Sequence, residues 1–220
     1  MKFLYWLTVG ALAMPFHGSA QTAAFEGFEV NVSSGWVPLR ISSTFENYPN
    51  LSLKRDSSKE VPLILSVGYT QAFNDRYTVG VSINHDLFAS RAVNANVYSN
   101  GNLVNSAGST QWLDNRDGGT LRLGRVMDES NLGYVRVGQA WASQFGTNNN
   151  GSVFNSVRFK YMIYGVGVKH LISPKLYALA EIDYVNMVPI KTLRTVGNTP
   201  MTVDSRAQGN WLVMGVGYQF

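Results

Sequence analysis

Cysteine is absent from the 220 residues, so disulfide frameworks, thiolate metal sites and cysteine nucleophiles are excluded. Charge is scarce: Asp, Glu, Lys and Arg make up 15% of the chain, where an ordinary soluble domain carries about 25%. The formal net charge is only +4, and no run of Lys and Arg is longer than two, which argues against a nucleic-acid partner. Beyond the N-terminus no apolar run reaches the ~18 residues of a membrane-spanning helix. What is present is apolar and aromatic: 45% hydrophobic residues, 12% aromatics and 21 glycines, too much for a disordered chain.

Met1-Lys2 opens the chain with positive charge, and Phe3 to Phe16 form an apolar run. His17-Gly18-Ser19-Ala20 then supplies small residues before Gln21. This is the pattern of a secretory signal peptide over residues 1–20, cleaved after Ala20, and it leaves one domain over 21–220. The run is too short, and lacks the following basic stop, for a membrane anchor.

The remainder alternates with period two. In the last strand Leu212, Met214, Val216, Tyr218 and Phe220 share one face, while Val213, Gly215, Gly217 and Gln219 share the other. A soluble sandwich turns its large apolar face inward; a membrane barrel turns the same face to lipid. Alternation alone does not choose. Repetition and loop asymmetry do. Segments of roughly ten residues, the span of a tilted transmembrane strand, recur at Glu26–Ser33, Leu63–Ala72, Tyr77–His85, Thr120–Val126, Leu132–Ala142, Phe159–Leu171, Leu176–Asn186 and Trp211–Phe220. The connections between them alternate long (37–61, 86–119, 143–155, 187–208) and short (73–76, 127–131, 172–175). Outer-membrane barrels have short periplasmic turns and long extracellular loops, and an even strand count. The expected fold is therefore all-β: a closed antiparallel up-and-down transmembrane barrel of eight strands, preceded by the cleaved signal peptide. Both termini are then periplasmic and the long loops extracellular.

The closing Gly-Val-Gly-Tyr-Gln-Phe, with Tyr218 and Phe220 on one face, resembles the C-terminal assembly signal of bacterial outer-membrane proteins. The turn Leu171-Ile172-Ser173-Pro174-Lys175-Leu176-Tyr177 with the following strand is similar to the penultimate hairpin of small barrels. The mature chain as a whole resembles the eight-stranded OmpA, OmpX and opacity-protein type. That resemblance implies a monomer in the outer membrane of a Gram-negative bacterium, in contact with lipid and lipopolysaccharide. During biogenesis it implies contact with the barrel assembly machinery and periplasmic chaperones.

Alternation also assigns the interior. Glu29, Arg122, Arg136, Lys169, Glu181 and Asp183 fall on the face opposite Phe28, Leu121, Val135, Val168 and Ile182. A lysine or arginine facing the bilayer midplane costs roughly 2–4 kcal/mol, so these three acids and three bases belong inside as a structural charge network. Catalysis or proton conduction by Glu181 and Asp183 is the competing reading. Eight strands enclose a space that side chains fill, which favours a plug over a pore. Aromatics gather near the short turns (Tyr69, Phe73, Tyr77, Tyr177, Tyr218, Phe220) and near the loop ends (Trp36, Phe88, Trp141, Phe159, Tyr184, Trp211), as interfacial girdles do. Strict alternation nonetheless places Trp211 inside.

Three functions fit such a scaffold. One is a non-enzymatic envelope or surface protein acting through its loops. The second is a small diffusion channel. The third is a lipid A acyl hydrolase, for which His85, in Ser82-Ile83-Asn84-His85-Asp86 at the outer end of a strand, is the candidate. Ser82 lies three residues from His85 and points to the other face. The His-x-Ser-Asn pattern of the lipid A deacylases is absent. His170 sits beside a periplasmic turn, and two separated histidines make a poor metal-ligand set. The sequence points to no catalytic, cofactor or metal site, and to no nucleic-acid partner.

The loop over 86–119 carries one sharper expectation. Asn100-Gly101 between β-prone residues is a hairpin signal, and a two-residue turn there pairs Ser99 with Asn102. Continued unbroken, that register would turn Arg122 toward lipid. A one-residue slip flips every side chain. The strands are therefore expected to project as a hairpin with an odd-residue offset, placed among Ser106–Gly119, before they reach the membrane. Deleting Phe220 is expected to lower outer-membrane assembly far more than deleting residues within Asn148–Gly151; equal membrane-fraction yields of the two variants would remove the C-terminal signal argument.

Overall fold

The computed structural model describes residues 23–38, 40–46, 48–57, 61–73, 76–87, 90–107, 110–147, 153–196 and 199–220. The expected signal peptide, Phe88 and Asn148–Gly151 lie outside the described residues. Among the described residues thirteen strands run in chain order: β1 Gly27–Trp36, β2 Arg40–Phe45, β3 Tyr48–Ser57, β4 Leu63–Phe73, β5 Tyr77–Asp86, β6 Ser90–Ser99, β7 Asn102–Ala107, β8 Thr110–Val126, β9 Asn131–Thr147, β10 Val153–Leu171, β11 Leu176–Met187, β12 Ile190–Val196 and β13 Thr199–Gln219. All pairings are antiparallel. Eight strands, in the order β1-β4-β5-β8-β9-β10-β11-β13, close on themselves where β1 pairs β13 from Glu29↔Gln219 to Trp36↔Leu212. The eight expected segments each fall on one of these strands.

The other five strands extend the same wall. β2 continues β1: Trp36 pairs Leu212, and four residues further along each strand Arg40 pairs Gln208 in unchanged register. β6 likewise continues β5, since Ile64↔Asp86 and Leu51↔Ser99 share one register. The long connections, expected as loops, are thus continued β-hairpins among the described residues. Three of the interruptions between inner and outer halves carry a proline, Pro38, Pro62 and Pro189. Proline has no N–H to donate to a ladder, so a strand breaks there. Glu46, at the tip of the β2–β3 hairpin, pairs with Lys191 of β12. That hydrogen bond and the lysine's charge hold Glu46 below the usual carboxylate range.

The two faces of the wall differ. Outward positions such as Phe28, Ile83, Leu121, Val166, Ile182 and Met214 are apolar and exposed on every side of the barrel. Soluble monomers do not expose a belt of that extent; it is the lipid-facing band of a transmembrane barrel. No described helix is long and apolar enough to cross a membrane, so the crossing is made by strands. At one end the turns are short. Asp128 accepts hydrogen bonds from the Ser130 N–H (2.9 Å) and the Asn131 amide (2.8 Å), which keep its carboxyl below its ordinary pKa.

The hairpin tip stands at Asn100-Gly101. Both residues have positive φ, 51° and 80°, as a type I′ turn requires, and Ser99 pairs Asn102. The register then shifts by one residue between Tyr98↔Leu103 and Val97↔Asn105. In the membrane band Gly80 pairs Arg122, one residue off the tip register, and Arg122 is buried inside. The offset therefore exists: one step lies beside the tip, and within Ser106–Gly119 the ladder moves a further residue by Ala92↔Gln111 and returns by His85↔Asp117. A further irregularity within that range lies against β9, where two residues of β8, Asn115 and Arg116, oppose Ala142 alone. Replacing Gly101 with Val places a β-branched residue in the left-handed region, at a cost of about 1–2 kcal/mol. Amide exchange is expected to quicken over Ser90–Ala107 and to stay slow over Gly118–Val126; faster exchange in both would show that the hairpin and the band are one cooperative unit.

Candidate functional site

The interior is built from inward positions that alternate with the lipid face. Glu29 of β1, 1% exposed, binds two cations across the lumen: the Arg122 guanidinium from β8 and the Lys169 ammonium from β10. Arg136 of β9 pairs with Glu181 of β11 and lies 3.5 Å from Asp183. The Tyr134 hydroxyl donates to Glu181 at 2.7 Å. Two rings complete the layer: Lys169 Nζ sits 4.2 Å from the Tyr177 ring centroid, and the Arg122 guanidinium 5.7 Å from that of Tyr134. The structure thus brings all six charged residues read from the sequence into one layer, in two linked groups. Each ring lies over a glycine paired directly with it, Tyr134 over Gly167 and Tyr177 over Gly217. A Cβ at Gly167 would lie 2.6 Å from the Tyr134 hydroxyl, so only glycine admits the ring.

Above and below this layer lie residues that sequence reasoning missed. Toward the long hairpins the inward face becomes apolar: Val37, Ile41, Phe159, Tyr161, Val185 and Met187 pack into a buried cluster with Trp211. Toward the short turns Phe25, fully buried, packs with Val126, Leu132 and Tyr134. Its segment is held by the Gln219 amide, which donates to the Ala24 (3.2 Å) and Glu26 (2.6 Å) carbonyls. Three aromatics assigned to the girdles therefore belong inside: Tyr177, Phe159 and Trp211 are all buried. A further ion pair, Arg116–Asp86, is also buried, with Arg116 5.1 Å from the Trp211 ring. Its signal was available: Asp86 extends the inward series Ser82, Asn84, and Arg116 extends Gly118, Thr120, Arg122.

Between the charged and apolar layers lies a cavity of about 50 Å³, lined by Asn31, Ser66, Thr120, Arg122, Asp183 and Trp211 among others. Arg122 Nε and Trp211 Nε1 are buried with no protein partner among the described residues. A cavity of that size has room for a few water molecules and none for a substrate.

Tyr218 and Phe220 are exposed on the outer face, their rings 5.0 Å apart. At the outer rim His85 Nδ1 lies 2.7 Å from Asp117 Oδ1, and both side chains are about half exposed (48% and 54%). They are ladder partners on the outward face. Ser82 turns inward, its hydroxyl 2.7 Å from that of Thr120. His170 meets Asn131 at the short-turn end, 2.9 Å away. Among the described residues neither histidine bonds a serine or threonine hydroxyl, and no three His, Asp or Glu residues group as metal ligands.

No family model matches the chain, and no curated protein does. Solved structures do. The outer membrane protein OprG of Pseudomonas aeruginosa superposes with a TM-score of 0.60 at 14% identity, over 89% of this chain and 97% of that one. The outer membrane protease OmpT of Escherichia coli gives 0.49 at 9% identity, over 88% and 97%. Ail, the attachment invasion locus protein of Yersinia pestis, gives 0.45 at 17%, over 89% and 99%. The likeness to OprG is one of fold: a small outer-membrane β-barrel.

Among the described residues Glu29 is the one anion shared by Arg122 and Lys169. Glu29→Gln strands two buried cations, which costs about 3–5 kcal/mol when a buried pair is broken. The heat-induced shift in gel mobility of the detergent-solubilised protein should then occur at a distinctly lower temperature. Adding Lys169→Met should recover part of the loss, because one stranded charge is gone. An unchanged transition for Glu29→Gln would mean that the network contributes nothing to stability.

Proposed function

We propose that this chain is a non-enzymatic integral protein of the bacterial outer membrane, with both termini in the periplasm, whose work is done by four hairpins held above the outer leaflet. One observation carries the reading: the Phe25 layer, the charged layer and the apolar layer occupy the barrel in succession, with a cavity of only about 50 Å³ between the last two. A small diffusion channel would need a continuous wet path, and an interior packed in this way favours a support over a conduit. The balanced charges fit the same role. Glu29, Glu181 and Asp183 each have a cationic partner, as a structural network requires and a proton relay does not.

A hydrolase is the one other reading with an observation behind it, the His85–Asp117 pair at the outer rim. An acid–base dyad oriented in this way is two-thirds of a triad. It lacks a hydroxyl within reach among the described residues, and its face is the lipid-contacting wall rather than a cleft. Contact with lipopolysaccharide and passage through the barrel assembly machinery and its chaperones, as a monomer, belong to the same proposal. Purified protein in planar bilayers is expected to show no steady conductance, whereas stepwise openings would establish the channel. Lipid A from cells with and without the gene is expected to have identical masses; a missing acyl chain that returns on His85→Ala would establish the hydrolase.

A further inference from the structure

Above the apolar band the outer wall changes character on three neighbouring strands. Outward positions on β13 run Met214, Leu212, Asn210, Gln208, Arg206; on β1 and β2 they run Val32, Ser34, Trp36 and then Arg40, Ser42. The ladder sets Arg40 beside Gln208, and Ser42 beside both Arg206 and Lys54. Directly paired residues share a face, so Lys54, Arg40 and Arg206 stand together outside, a few residues above Trp36 and Tyr184. All three are exposed, and they border a cleft of about 470 Å³ whose lower wall includes Tyr184 and Asn186.

The arrangement is partly built in advance. Lys54 Nζ rests 4.9 Å from the centroid of the Tyr98 ring, which limits where its ammonium points. Two acids belong to the same stretch of wall: Asp204, and Asp56 as the ladder partner of Arg40. Asp204 lies 3.5 Å from Arg206, whose side chain remains 68% exposed. An ion pair that open contributes little, so the guanidinium stays available to a stronger anion. The cleft's lining reaches down to Tyr184, and Ile182, two residues further along β11 on the same outward face, is exposed in the lipid-facing band. A free anion has no use for that apolar extension. A lipid with phosphate at headgroup level and acyl chains below matches both parts.

Resting on the outer-membrane reading above, we infer that Arg40, Lys54 and Arg206 form a binding site for the phosphate groups of an outer-leaflet glycolipid, whose acyl chains lie against Tyr184 and Ile182. Arginine forks suit phosphate oxygens, and cations at an anionic surface contribute about a factor of five each.

The test uses the mature protein in phosphatidylcholine nanodiscs doped with a small fraction of diphosphoryl lipid A or its dephosphorylated form, with retained lipid counted by native mass spectrometry. Wild type is expected to retain the diphosphoryl form preferentially. The variant Arg40→Gln/Lys54→Gln/Arg206→Gln should bind it about a hundredfold more weakly, three such factors combined. Arg125→Gln/Lys175→Gln, which removes two bases near the short turns, should behave as wild type. Equal retention of the two lipid A forms, or full retention by the triple variant, overturns the site. Displacement of lipid A by millimolar inorganic phosphate would make it a soluble-anion site and overturn the lipid assignment. The heat-dependent gel mobility of the same samples reports the barrel separately, so failure of the site and failure of the outer-membrane reading are distinguishable.

Discussion

A chain that crosses lipid must satisfy every backbone N–H and C=O from within, because the hydrocarbon offers no water to replace them. For strands this means closure. Here closure is the ladder between β1 and β13, and the rest of the molecule follows from it. Once the sheet has no edge, every strand has one face toward lipid and one toward a narrow lumen, and polar residues have one place to go. Glu29 sits on the seam strand itself, paired with Gln219 on one side and Gly68 on the other. Its carboxylate reaches across to β8 and β10, so the charge network braces the seam against the opposite wall.

The filling of the lumen changes with height. Near the short turns Phe25 folds back under the barrel. In the middle, four cationic and four anionic side chains pair, counting Arg116–Asp86 with the network. Above them the inward face is as apolar as the core of a soluble domain. That last change coincides with the wall leaving the membrane. Beyond the band the outer face meets water and headgroups, so the inside must supply the hydrophobic burial that holds the extended hairpins together. The barrel is inside-out within lipid and conventional above it.

The interior is occupied and its charges are matched, while the outer wall above the band carries a row of exposed bases over an aromatic girdle, Arg206 among them in an open pair with Asp204, and hairpins stiffened by ladder hydrogen bonds. Rigid hairpins present a fixed surface, which lowers the ordering cost of binding relative to loops.

The sequence by itself determined the eight strands of the membrane band, their lipid faces and the six charges of the middle layer, because within the membrane a period of two has a single physical meaning. Glu29, Arg122 and Lys169 are far apart in the chain, yet each had only the lumen to enter. It also determined the Asn100-Gly101 tip, where two positive φ angles restrict the residue types. Tertiary structure alone decided what lies above the band. There both faces carry apolar residues, so Phe159 reads as a girdle residue although it is buried, as Tyr177 does at the short-turn end; for Trp211 alternation had pointed inside. Where the register slips was likewise undecided: the slip had to exist for Arg122 to face inward, but its place depends on which strand accommodates an extra residue at least cost. The grouping of Arg40, Lys54 and Arg206 depends on the pairing of β2 with both β3 and β13, a contact between distant segments that no local pattern encodes.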